Sequence, residues 1–428
     1  MPSLNGRSFT RYFPSIRTAP GLAPVAVPEE TVTVTAAAAR RHPRSALFVD
    51  QSGEPGGAEL CLLPLAALHA KHSEVLLLAD GPFRTLLEAQ GVRVSVRSNA
   101  KVSAIHRAGM RLSWLRALPG MARQIVSIAL RARRFDVLYL NTQKALVLGA
   151  LGKPLHRSPI IWHAHDVMTP DHFGKTQLRI VRWIVRHAVD QVVANSQATA
   201  DALIELTGLP AEALPVVHNG IDAKAFMDVD AAKAAALRRS FNVPDTAWLA
   251  GLFGRLAPWK GQHLAIEALT KLPDVHLFLV GAPLFGEDAY AAELHRLAEA
   301  RGVADRVHFA GAQSDVPVWM KAMDVILHTS LKPEPFGRVI IEGMAAGRPV
   351  VASGAGGVVE IVQHRVNGWL IEPGEVNELV EAIDTLRASP ELARTLTGQA
   401  QRDVQQRFAL DSYLQQITQF ITRAPYAT

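Results

Sequence analysis

Val325-Ile326-Leu327-His328 is a short apolar run, and after a polar loop the chain continues Pro333-Glu334-Pro335-Phe336-Gly337-Arg338-Val339-Ile340-Ile341-Glu342-Gly343-Met344. The first piece reads as a buried strand, and Gly337–Ala346 reads as a helix entered through a glycine. A further apolar run, Val350–Ala352, follows directly. Strand, helix, strand with this spacing is a βαβ crossover, which makes the two strands parallel. The same alternation extends outward in both directions.

In the second half, strands are predicted at Leu249–Phe253, Leu277–Val280 and Val307–Phe309, with helices at Gln262–Leu272, Ala289–Ala300 and Glu378–Ala388. In the first half, strands are predicted at Ala46–Val49, Val75–Ala79, Val137–Leu140, Ile160–His163, Gln191–Ala194 and Val216–Val217. Helices near Ala58–Ala70, Leu112–Arg133, Leu178–Ala188 and Ala198–Leu206 separate them. The turn-forming His218-Asn219-Gly220-Ile221-Asp222 divides the two series. The expected architecture is α/β, with two doubly wound parallel-sheet domains of Rossmann-like type facing across a cleft. Residues 44–220 form the first domain and 221–405 the second; a terminal helix within 406–428 is expected to return to the first. In such sheets ligands sit beyond the carboxyl ends of the strands.

Composition agrees with this class. The 428 residues are 49% apolar and 20% charged, enough to bury large cores, which excludes wholesale disorder and fibrous designs. A single cysteine, Cys61, excludes a disulfide framework or a thiolate zinc cluster and fits a reducing compartment. No apolar run approaches the ~18–20 residues that cross a bilayer. Residues 1–43 carry six prolines that interrupt any secretory apolar core, and are expected to be a flexible tail.

Three segments carry chemistry. Ser52-Gly53-Glu54-Pro55-Gly56-Gly57-Ala58-Glu59 follows the first strand and opens a helix, where Gly56 and Gly57 allow close approach of an anion to backbone N–H groups. Gly254-Arg255-Leu256-Ala257-Pro258-Trp259-Lys260-Gly261 holds an equivalent place in the second domain, and its two cations can converge on a diphosphate. In the third, N–H groups from Phe336, Gly337, Arg338 and Val339 can hold a phosphate. Glu334 and Glu342 on either side can accept hydrogen bonds from sugar hydroxyls. Asp228-Val229-Asp230 precedes an alanine-rich helix and is read as a helix cap rather than a metal motif.

Together, the E-x7-E pair Glu334/Glu342 with its A-A-G-R-P-V continuation, the G-R-L…K-G loop, the N-G-I-D linker and the G-G-A-E loop resemble retaining glycosyltransferases of GT-B fold, family 4 (group 1). The resemblance covers about residues 45–425. It implies metal-independent transfer of a sugar from a nucleotide diphosphate-sugar, with no cofactor and no bound metal. Arg255 and Lys260 would then neutralise the departing diphosphate, and Glu334 would hold donor-sugar hydroxyls. Glu342 would bind the ribose, and Gly56-Gly57 would approach the diphosphate or the acceptor. It also implies a glycan or lipid-linked acceptor, a role in cell-envelope polysaccharide or lipopolysaccharide synthesis, and a cytoplasmic location on the inner membrane face.

One departure stands out. Many relatives carry a histidine at the end of the fourth strand, where this chain has Asn141. Strand alternation puts His163 and His165 of Trp162-His163-Ala164-His165-Asp166 on one face. His165 with Asp166 is therefore the expected group for positioning or deprotonating the acceptor hydroxyl.

Residues 1–216 contain 25 basic against 15 acidic residues, and 217–428 contain 20 against 24. The arginines and tryptophans of 106–134 and 178–186 suit an anionic membrane surface. With no recognition motif, nucleic acid is not expected. A GT-B epimerase or a non-catalytic sugar-nucleotide binder are the alternatives; the first would release sugar without acceptor, the second would bind without turnover.

Overall fold

The computed structural model describes residues 44–98, 113–244, 246–284 and 286–425. The tail 1–43 and the arginines at 107 and 111 lie outside them.

The first sheet consists of β1 (Ala46–Asp50), β2 (Glu74–Leu77), β3 (Val94–Val96), β4 (Val137–Leu140), β5 (Ile160–Ala164) and β6 (Gln191–Ala194). All pair in parallel, in the order β3-β2-β1-β4-β5-β6. Its helices are α1 (Gly57–Leu68), α2 (Pro82–Ala89), α3 (Ser113–Ala132), α4 (Gln143–Leu151), α5 (Lys153–His156), α6 (Lys175–His187) and α7 (Gln197–Thr207). Every residue of β1, β4 and β5 is buried. Helices cover both faces of the sheet, which explains strands that read as continuous rather than alternating apolar runs.

The second sheet contains β7 (Trp248–Phe253), β8 (Val275–Val280), β9 (Val307–Gly311), β10 (Val325–His328), β11 (Val350–Ser353) and β12 (Trp369–Ile371), ordered β12-β11-β10-β7-β8-β9. It is preceded by α8 (Ala223–Met227) and α9 (Ala231–Ser240), and flanked by α10 (Gln262–Ala268), α11 (Asp288–Ala300) and α12 (Val316–Ala322). Next come α13 (Arg338–Ala345), α14 (Val358–Ile361), α15 (Val376–Ala388), α16 (Pro390–Arg407) and α17 (Leu410–Arg423). Counted from its own first strand, this sheet repeats the order of the first. Each reverses its winding between its first and fourth strands, β1/β4 and β7/β10, and ligands of doubly wound sheets bind at that point.

Three sequence readings need correction. Val216–Val217 is not a strand; Val216 makes one isolated bridge to Ala194. Two edge strands, β3 and β12, are absent from the sequence reading; each has three residues, too few to register as a periodic run. Helices α2, α4 and α12 also fill stretches read as loops, and α2 and α12 each begin at a proline-containing first turn. The Asp230 side chain accepts a hydrogen bond from Ala232 N at 2.8 Å, so it caps α9.

Both sheets belong to one compact unit, residues 43–428. The chain crosses back beside the linker, where Ile221 N donates to Phe408 O and Leu410 N donates to Ile221 O. Helix α17 then buries Tyr413, Ile417 and Ile421 against Phe48, Leu62 and Tyr139 of the first domain. Glu360 adds a second tie. Its carboxylate accepts Gln197 N at 2.8 Å and Ala198 N at 2.9 Å at the start of α7, and His218 Nε2 lies 2.8 Å from it. A carboxylate at a helix N-terminus is favoured by the exposed N–H groups and the dipole there.

Candidate active site

Glu334 lies in the loop between β10 and α13, at the second sheet's switch point. Lys260, on a single helical turn that follows β7, places Nζ 2.9 and 2.8 Å from its two carboxylate oxygens. Ser330 Oγ donates to Glu334 Oε2 at 2.9 Å, and His328 Nε2 lies 3.3 Å from the same oxygen. Burial alone would raise the Glu334 carboxyl; the Lys260 ammonium and His328 outweigh it and hold it well below the usual carboxylate range. The Lys260 ammonium also lies 4.3 Å from the centre of the Trp259 ring.

Close backbone packing fixes this loop. Gly356 has φ of 68°, and a Cβ there would meet Glu334 O at 2.2 Å. Gly357 N donates to Glu334 O at 2.8 Å. The Gly354–Gly357 loop after β11 escaped the sequence reading, although it is the same glycine-rich strand end that marked the other two loops.

Glu342 is buried on α13, and Arg338 Nε donates to its Oε1 at 2.6 Å. Burial raises the Glu342 carboxyl, and Arg338 offsets part of that. Arg338 also reaches across to the first domain, with Nη1 3.6 Å from Cys61 Sγ on α1. The Phe336 side chain is buried against the rings of His218 and Phe408, and Val339 packs on the same core. Their contribution to a ligand would therefore run through the main chain.

The first domain's switch point faces this set. Asp166, just beyond β5, is desolvated and pushed up to about 6, with the charge of Arg255 opposing the shift. The charge of Arg255, from the second domain, is thus felt by Asp166 of the first. Lys332 Nζ donates to Asp171 O at 2.6 Å, and the rings of His172 and Trp259 lie 6.5 Å apart at 75°. The expected pairing of faces holds on β5: the rings of His163 and His165 are 4.0 Å apart. His165 Nε2 is 3.1 Å from Asn141 Oδ1. Burial lowers the His165 imidazole to about 3, so it is neutral at ordinary pH.

The glycine loop is built differently from the sequence reading. Glu59 Oε2 accepts Gly56 N at 3.1 Å, closing the first turn of α1. A Cβ on Gly57 would meet nothing within 4 Å, leaving that side of the loop open. The structure therefore brings Lys260 to Glu334, His165 to Asn141 and Arg338 to Glu342, with Arg255 acting on Asp166 through its charge. Asp50, Glu59, His328 and Ser330 join the site without having been singled out as site residues.

Two switch points that face one another with cations and carboxylates define a two-domain sugar-nucleotide enzyme of GT-B type, and the comparisons agree. Residues 55–225 match the family Glycosyltransferase Family 4, and residues 234–403 match Glycosyl transferases group 1. The crystal structure of Anabaena Alr3699/HepE in complex with UDP-glucose is 40% identical, with a TM-score of 0.81 over 89% of this chain and 99% of that one. The chain belongs to the GT-B glycosyltransferases. The D-inositol 3-phosphate glycosyltransferase of Mycobacterium sp. (strain KMS) is 30% identical over 263 residues, and the match spans 59% of its length. The lipopolysaccharide-biosynthesis glycosyltransferase WaaG, at 17% identity and a TM-score of 0.68, shares the fold.

Proposed function

We propose that the protein is a metal-independent, retaining glycosyltransferase that moves a hexose from a uridine diphosphate-sugar to a hydroxyl of a glycan or glycolipid acceptor. The Lys260–Glu334 pair at the β7/β10 switch point, with Arg255 on the same loop, is the observation that carries this reading. The likeness to HepE, crystallised with UDP-glucose, supports the choice of donor. Fixed cations aimed at a departing diphosphate stabilise the charge that develops there. Among the described residues Glu334 Oε1 accepts Lys260 alone, which leaves acceptor capacity for sugar hydroxyls. Glu342 Oε2 is left for the ribose.

In the proposed step the bond from the anomeric carbon to the diphosphate oxygen breaks, and the acceptor oxygen bonds to that carbon on the same face. Before transfer the acceptor hydroxyl is oriented by donating to His165; as the bond to the diphosphate breaks, that hydrogen turns to the departing phosphate oxygen, which takes the proton. UDP-glucose at a hundredfold excess over its Kd should stabilise the protein by about 2.7 kcal/mol. A thermal-shift series with UDP-, GDP- and ADP-sugars reads this directly, and no shift with any of them would remove the donor assignment.

The acceptor side of the proposal includes an anionic membrane surface at the cytoplasmic face, in envelope polysaccharide or lipopolysaccharide synthesis. Among the described residues no helix is long and apolar enough to cross a membrane. Val126 and Leu130 of α3, Leu155 of α5, and Ile180 and Trp183 of α6 are exposed apolar side chains, and Arg134, Arg179 and Arg182 are exposed nearby in sequence. Arg131 does not belong to this set, because it is paired with Glu74 and Ser95. Charge reversal of Arg134, Arg179 and Arg182 should reduce co-sedimentation with anionic liposomes, most at low salt. Unchanged sedimentation would leave the acceptor as a soluble glycan.

A further inference from the structure

Behind the Gly56-Gly57 loop a chain of buried polar groups links two carboxyls to His165, and its directionality can be read link by link. Asn141 Nδ2 lies 2.7 Å from Asp50 Oδ2 and 3.1 Å from Ala58 O. A main-chain carbonyl only accepts, so the NH2 edge of the Asn141 amide faces Ala58 and Asp50. The amide oxygen is thereby turned to His165. An amide oxygen also only accepts, so His165 Nε2 must carry the hydrogen in that 3.1 Å contact. In a neutral imidazole the other nitrogen, Nδ1, is then an acceptor.

The start of the chain is anchored just as firmly. The Asp50 and Glu59 carboxyls are neighbours, and the charge of Asp50 acts on Glu59. Asp50 also accepts Ser52 N at 2.8 Å and the Asn141 amide, whereas Glu59 accepts Gly56 N. With more donors aimed at it, Asp50 is the better home for the charge and Glu59 for the proton. Burial raises both groups, and Glu59, facing the charge of Asp50, is raised further.

We infer that Asp50 and Asn141, with Glu59 beside them, form a positioning relay that fixes the Nε2–H tautomer of His165 and so presents Nδ1 as the acceptor for the hydroxyl that receives the sugar. The relay deepens the acceptor-side role given above to His165 and rests on it. In this proposal the relay residues need no contact with substrate. They act through the orientation of one amide and one imidazole, as ligand-orienting partners do elsewhere.

The test reads the tautomer itself. The full chain, labelled with 15N-histidine, is recorded by long-range 1H–15N correlation, and the His165 signals are assigned by their loss in His165→Gln. The expected wild-type result is a neutral Nε2–H imidazole that does not titrate between pH 5.5 and 8. Glu59→Gln supplies a neutral donor of the same shape and should keep that tautomer. Asn141→Leu should release it to a mixture, and transfer should fall on the order of 10²-fold while the Kd for UDP-glucose stays unchanged. An Nδ1–H tautomer in the wild-type protein overturns the inference without any variant, and so does Asn141→Leu leaving the tautomer fixed. Because the spectrum needs neither donor nor acceptor, it fails independently of the glycosyltransfer reading, which UDP-glucose binding tests alone.

Discussion

Lys260→Ala is expected to lower the transfer rate by roughly 10²–10³-fold, the usual cost of removing one preorganised charge from a transition-state site. It is also expected to lower the melting temperature. Lys260 is the cation in direct contact with the Glu334 carboxylate, whose side chain retains only 12% exposure. Removing it leaves an uncompensated buried charge, which costs about 3–5 kcal/mol. Stability and chemistry are therefore confounded in that variant, and Glu334→Gln separates them. The amide keeps the volume and can still accept from Lys260 and Ser330, so the fold should survive with a smaller loss. Transfer should still collapse, because a neutral amide accepts sugar hydroxyls less strongly than a carboxylate.

The pH dependence has a definite sign. Glu334 has a depressed carboxyl, so its contribution to stability is complete above the ordinary value near 4.5. The contribution is lost as pH falls below that value toward the lower one of the folded state. The slope of melting temperature against pH should thus be steeper below 4.5 in the wild-type protein than in Glu334→Gln. Near-normal transfer in both Lys260→Ala and Glu334→Gln would contradict the placement of the site.

Much of this architecture was legible because parallel sheets write themselves in sequence. β4, β6 and β10 have the predicted limits, since a strand buried on both faces is an uninterrupted apolar run bounded by turn residues. The edge strands β3 and β12 were not legible, because three residues at a sheet edge need no such run. The clustering of Arg255, Lys260 and Glu334, the proposed donor side, was readable for a related reason: they sit on loops directly after strands, where sequence order already places them at one end of the sheet. The Asp50–Glu59–Asn141 relay was not. Its members come from the ends of β1 and β4 and the first turn of α1, and only the β1–β4 pairing brings them together. A lone buried aspartate at a strand end looks in sequence like any turn former. Arg131 shows the reverse error, a surface charge by composition that the fold spends on Glu74.

The second large effect concerns a residue with no side chain. Gly261 follows Lys260 with φ of 69°, and a Cβ there would lie 2.1 Å from Thr329 O. Alanine in the left-handed region costs about 1–2 kcal/mol before any clash, and at 2.1 Å the carbonyl must also move. That carbonyl belongs to the β10 end, and Thr329 Oγ1 donates to Lys260 O and Gly261 O at 3.0 Å each. A shift at Gly261 is thus passed both to the lysine and to the strand end that leads to Glu334. Gly261→Ala should therefore lower transfer on the order of 10²-fold, the scale of a misplacement near 1 Å, with melting reduced by several degrees. Gly398→Ala is the matched control. It lies inside α16, where the nearest atom to a new Cβ is the flexible end of Arg402 at 3.8 Å. There alanine should stabilise by about 0.5–1 kcal/mol and leave transfer unchanged. If Gly261→Ala behaved like Gly398→Ala, backbone packing between the β7 and β10 loops could not be what holds Lys260 against Glu334.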